Sequence, residues 1–299
     1  MKRRIVSLAC LLALAQAASA ADPKARKKLD DSYIPFTGGE FVKRVFLSDK
    51  SIVELFLQAG FAVDTSDDQG YTALRRAADQ SDGKLLPLLL AAGANPNLAD
   101  KNGTTALCIA AGRGATQNLQ ALLRAKADPH VACGFDENTP LHSAVRQGDL
   151  AGVQALLAAG VEIDARNRTG ETPLYQAASW GESLPILQAL LAAGADLEGK
   201  DHGGDTPLHG ANNHRSVPYV QALLAAGADV NARNGRGETA LFEAARNDHA
   251  ELVTTLLNAG ADPTLADNTA VTPLAIAKQV GSMRAMALLK DARKPAARP

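Results

Sequence analysis

Apolar positions along this chain fall into short helical runs that return with a fixed period. Alanine pairs such as Ala177-Ala178 and Ala244-Ala245 mark one kind of run, and leucine-rich stretches such as Val153 to Ala159 and Val220 to Ala226 mark a second. Small side chains let a neighbouring helix approach closely, and leucines at helical spacing give an apolar stripe. The motif Thr-(Pro/Ala)-Leu precedes each alanine run, at Thr72, Thr105, Thr139, Thr172, Thr206, Thr239 and Thr272, with spacings of 33, 34, 33, 34, 33 and 33 residues. Glycine follows the leucine runs at Gly60, Gly93, Gly160, Gly194, Gly227 and Gly260, and Lys126 stands where a seventh belongs. Two independent registers therefore agree on one repeat.

Each period has a physical reading. The threonine is an N-cap, its hydroxyl meeting an orphan amide, and proline after it has the φ of a first helical residue. A short helix starts there, turns, and is followed by a second helix. Glycine ends that second helix because the next residue sits at positive φ. About ten turn-forming residues then lead to the next unit, as in Asp229 to Gly237. The prediction is an all-α chain of helix-turn-helix units joined by short β-hairpin loops.

This pattern resembles the ankyrin repeat. Gly204-Asp205-Thr206-Pro207-Leu208-His209 followed by Gly227-Ala228-Asp229-Val230-Asn231-Ala232 is similar to the family's TPLH and GADVNA signatures almost throughout. The resemblance covers residues 39–289 and about eight units: a degenerate first from Phe41 to Asp64, six full ones, and a last from Thr272 to Leu289. Phe41, Val45, Ile52, Leu55 and Phe56 keep helical spacing in the first, as a cap requires. The resemblance implies a curved solenoid that binds macromolecules through its hairpin tips and first helices. It also implies that His142 and His209 tie their helices to neighbouring backbone.

Residues 1–20 read as a signal peptide, with Met1-Lys2-Arg3-Arg4 as basic head, Ile5 to Ala15 as apolar stretch and Ala18-Ser19-Ala20 before the cleavage site. Residues 21–38 read as an N-terminal linker and residues 290–299 as a basic C-terminal tail. Cleavage removes Lys2, Arg3 and Arg4 and shifts the net charge from -1 to about -4. That balance, with 4% aromatic residues, gives no basis for nucleic-acid binding. No stable membrane insertion is expected, because no segment reaches the roughly 20 apolar residues of a span.

Chemical motifs are absent: there is no Walker loop, H-E-x-x-H, G-x-S-x-G or C-x-x-C. No catalytic residue, metal or cofactor is expected. Cys108 replaces the histidine of TPLH, and in the family this slot faces the next hairpin, where Cys133 lies. A disulfide can form between them in an oxidising compartment, with two unpaired thiols as the alternative. The same junction carries Lys126 in the glycine slot and one extra residue in its hairpin.

Candidate partner-binding residues follow from their slots. The eighth residue beyond each capping threonine gives Arg113, Gln147, Trp180 and His214, and the seventh gives Arg146 and Arg246. Variation concentrates there while the alanine and leucine slots stay nearly fixed. Hairpin tips add Phe135, Arg168 and Arg236, and Arg166, Arg168, Arg233 and Arg236 could form a basic rim suited to carboxylates. Trp180, the single tryptophan, either anchors a partner or covers its own lengthened turn.

The leading functional expectation is a periplasmic protein-binding module without catalytic activity, monomeric, with secretion as the alternative destination. Exported bacterial ankyrin proteins suggest inhibition, immunity or envelope protection as its role. The second class is a binder of cell-wall polymer or a small ligand, and the third is an enzyme.

Overall fold

The computed structural model describes residues 21–80, 83–180, 183–213 and 216–292. The signal-peptide reading and His214 lie outside these residues. Among the described residues seventeen helices follow one another, and sheet structure is limited to isolated bridges such as Ser66 to Thr72 and Ala99 to Thr105. The chain divides into two compact units, one ending at Asp128 and the other starting at Pro129.

In the first unit, α1 (Pro23–Asp31) precedes three helix pairs: α2 (Gly38–Phe46) with α3 (Lys50–Gln58), α4 (Ala73–Ala78) with α5 (Leu86–Ala91), and α6 (Ala106–Arg113) with α7 (Thr116–Arg124). The linker expected over residues 21–38 is corrected here. Asp22 caps α1 by accepting from the Lys24 amide, Pro23 supplies its first residue, and Ala25 and Leu29 are buried as α1 packs on α3. Thr37 caps α2, so the first repeat starts before Phe41. Phe36, Phe41, Phe56 and Phe61 interlock, with Phe36 stacked on Phe56 at 5.2 Å between centroids. This aromatic cluster packs the first described repeat, where end units of a repeat stack need their own cover.

The second unit holds five pairs. They are α8 (Pro140–Gln147) with α9 (Leu150–Ala158), α10 (Pro173–Trp180) with α11 (Leu184–Ala192), α12 (Pro207–Asn213) with α13 (Val217–Ala225), α14 (Ala240–Arg246) with α15 (Ala250–Asn258), and α16 (Pro273–Val280) with α17 (Met283–Ala292). First helices pack on first helices and second on second. α17 runs three residues beyond Leu289, taking the start of the expected basic tail into the fold.

The repeated residues do what their chemistry dictates. Thr72, Thr105, Thr139, Thr239 and Thr272 each accept from the amide three residues on, and Thr172 does so from Tyr175. The leucine stripes are fully enclosed, for example Val153 with Leu156 and Leu187 with Leu190. Burying each such side chain contributes about 1.5–3 kcal/mol. Lys126 takes the positive φ of the glycine it replaces, at 61°.

Candidate binding groove

The hairpins are built by a signal that the motif reading passed over. Five residues before the capping threonine, Asp67, Asp100, Asn167, Asn234 and Asp267 each accept from two amides ahead of them, closing the turn from within. Neighbouring tips in the second unit are then joined backbone to backbone, Arg168 N to Asp136 O at 2.9 Å, His202 N to Thr169 O at 3.0 Å and Gly235 N to Gly203 O at 2.9 Å. At Gly235 only glycine fits, because a Cβ would stand 2.5 Å from the Gly203 oxygen.

Between these tips and the first helices lies a groove of about 290 Å³ in the second unit. Its floor is polar: Asn138, Asn167, Glu171 and Gln176 form one hydrogen-bonded set. Asn167 Nδ2 donates to Asn138 Oδ1 at 3.0 Å, and Gln176 Nε2 donates to Glu171 Oε2 at 3.0 Å. Because both neighbours of Gln176 Nε2 are acceptors, the amide orientation is fixed, and Gln176 Oε1 has no hydrogen-bond partner among the described residues. The rim carries Arg146 from α8, Arg168 from a hairpin tip and Trp180 from the end of α10. Trp180 is 69% exposed, so it lines the groove more than it fills a core.

Three of the nominated residues therefore meet at one place. Phe135 stands beside it, 74% exposed, and its carbonyl accepts from Arg168 Nη1 at 3.3 Å. Gln147 follows Arg146 and is exposed without lining the groove. Arg113 belongs to the first unit, where its Nε pairs with Asp79 at 2.6 Å. Arg236 and Arg246 lie further along the second unit and are engaged with Glu238, at 2.8 and 2.7 Å. The basic rim also separates into two kinds of residue. Arg166 and Arg233 donate to backbone carbonyls of their own hairpin and the next, Arg233 Nη2 reaching Ala266 O at 2.9 Å, so they staple hairpins together.

A second polar cluster escaped the motif reading. Glu238 and Glu243 are buried beside Arg236, Arg246, Asp205 and Asn212. Burial, with Asp205 as the next cause, pushes the Glu243 carboxyl up to about 7. Its sequence signal is the fourth residue beyond the capping threonine, which holds Gln176 and Glu243 where Ile109 and Ile276 stand in other repeats. Burial likewise raises the Tyr175 phenol.

The histidines act as ties. His142 Nδ1 lies 2.8 Å from Thr139 Oγ1 and its Nε2 3.0 Å from the Glu171 carbonyl; His209 makes the matching contacts with Thr206 and Glu238. Desolvation lowers both imidazole pKa values, which keeps the rings neutral. Cys108 and Cys133 are both disulfide-bonded.

A family model described as ankyrin repeats, in three copies, matches residues 77–167, 141–234 and 211–296. The chain belongs to the ankyrin-repeat family. Ankyrin repeats are protein-interaction modules, and as a class they are not catalytic. A 41-residue stretch is 54% identical to mouse palmitoyltransferase ZDHHC13, covering 14% of this chain and 7% of that protein. The match thus spans a small fraction of that relative's length. Among the described residues of this ankyrin protein no group of three or more histidines, cysteines or acids could hold a metal, and no helix is long and apolar enough to cross a membrane.

Proposed function

We propose that the protein is exported to the periplasm and binds a protein partner, without catalysis, through the groove between hairpin tips and first helices of its second unit. The observation that carries this reading is Trp180, exposed at the rim of the groove beside Arg146 and Arg168. Tryptophan and arginine dominate interface energetics when a partner desolvates them. The groove is at the lower edge of the ~300–1,000 Å³ typical of small-molecule sites, and its floor is polar where those are mostly apolar. It suits one or two side chains of a larger partner. Export rests on the basic head, apolar stretch and Ala18-Ser19-Ala20 at the N-terminus. The protein acts as a monomer, and inhibition, immunity or envelope protection is the role this placement suggests.

The test is affinity capture from the envelope fraction with the wild-type chain against a Trp180→Ala, Arg146→Ala double mutant. One protein enriched by the wild type and lost with the mutant supports the reading. With no protein enriched, a polymer or small ligand takes precedence.

A further inference from the structure

Arg146 and Arg246 occupy the same place in their repeats, seven residues beyond Thr139 and Thr239. Their surroundings differ at one position. The residue before Thr239 is Glu238, whose carboxylate holds the Arg246 guanidinium at 2.7 Å. The residue before Thr139 is Asn138, and Arg146 forms no ion pair with any described residue. Arg168, on a hairpin tip lining the same groove, gives one donor to the Phe135 carbonyl and likewise forms no ion pair with any described residue. The groove's own acids do not answer for them. Glu171 accepts from Asn167 and Gln176 on the floor, and Asp136 is exposed on the hairpin.

Resting on the protein-binding reading above, we propose that the groove anchors an acidic side chain of the partner. The carboxylate lies between Arg146 and Arg168, where the later repeat has Glu238, and the apolar residue beside it packs on Trp180. Guanidinium groups offer paired donors that match a carboxylate, and charge-assisted bonds of this kind are roughly twice as strong as neutral ones. The indole supplies apolar contact area at the same rim. What the partner contributes is thus an extended segment with Asp or Glu next to a large apolar residue.

The single tryptophan makes the groove its own reporter. A random heptapeptide library displayed on phage is panned against the full chain, and enriched peptides are synthesised and titrated by Trp180 fluorescence. The expected result is enrichment of Asp or Glu beside an apolar residue, with a change in Trp180 emission on binding. Changing that acid to its amide, or using Arg146→Gln with Arg168→Gln, weakens binding about tenfold or more, and added salt weakens it further. Asn138→Glu gives Arg146 an internal carboxylate and lowers affinity for the acidic peptide. Unchanged melting temperatures for the arginine variants, both surface substitutions, keep the comparison clean. Peptides that shift Trp180 emission yet carry no acid, or bind the arginine variants equally well, overturn the acidic anchor and leave the binding face standing. No enriched peptide, or peptides that leave Trp180 emission unchanged, overturns both.

Discussion

His142 Nε2 lies 3.0 Å from the carbonyl oxygen of Glu171, so a first helix is tied to the loop of the repeat that follows. His209 repeats this with Glu238 at 3.1 Å. Both side chains are buried, and each ring also meets the threonine that caps its own helix. One side chain thus couples cap, helix and neighbouring repeat.

Replacing His142 or His209 by leucine is expected to cost about 1–3 kcal/mol, because a buried carbonyl is left without its donor. Thr206→Val costs about 1 kcal/mol or more by removing the hydroxyl that meets His209. Denaturant unfolding checks both. The folded pKa of each histidine lies below its ordinary 6.5, so the unfolded chain binds protons more readily. Stability from this source is complete above about 6.5 and falls as pH drops below it. Either leucine variant weakens that acid sensitivity.

Glu243 has the opposite sign. Its folded carboxyl titrates near 7 and its ordinary value is 4.5, so the folded state holds the proton more tightly. Its contribution is present at low pH and is lost as pH rises from about 4.5 through 7. Glu243→Gln, which keeps the shape and removes the charge, should raise the melting temperature at pH 8 and change it little at pH 4.5. The gain is at most about 3 kcal/mol, from 1.36 kcal/mol per pKa unit.

At the end of α7, Lys126 holds a φ of 61° that glycine adopts without a Cβ penalty. Lys126→Gly should stabilise the protein by about 0.5–1 kcal/mol. Gly227 gives the converse. Its φ is 101° and a Cβ there would meet nothing within 4 Å, so Gly227→Val is destabilising by about 1 kcal/mol or more through backbone conformation alone. Paired melting curves test both signs.

The cysteines give a direct chemical check. Cys108 and Cys133 are disulfide-bonded, so a purified chain of residues 21–299 should react with no thiol reagent until a reductant is added and should then take up two labels. Native disulfides typically stabilise a fold by about 2–4 kcal/mol. A matching drop in stability on reduction is expected.

The repeat, its caps and its glycine stops were legible in the sequence because they depend on neighbours a few residues away. A threonine hydroxyl three residues from its amide, or a glycine at a helix end, acts within one turn. The leucine stripes were legible for the same reason, being periodic. The helix at Pro23–Asp31 was missed because only its packing on Lys50–Gln58 makes a short, lysine-rich segment worth ordering. Arg113, Arg236 and Arg246 looked equivalent to Arg146 and Arg168 by slot. Only the fold brings Asp79 to Arg113 and Arg246 to the Glu238 that already neighbours Arg236, and leaves Arg146 and Arg168 without an ion pair to any described residue at the groove that Trp180 lines. The burial that moves Glu243 is likewise a property of the stack, since an acid's desolvation depends on what covers it. The repeating backbone follows from contacts within one turn of each residue, whereas the pairing of its charges is set by which repeats the stack places side by side.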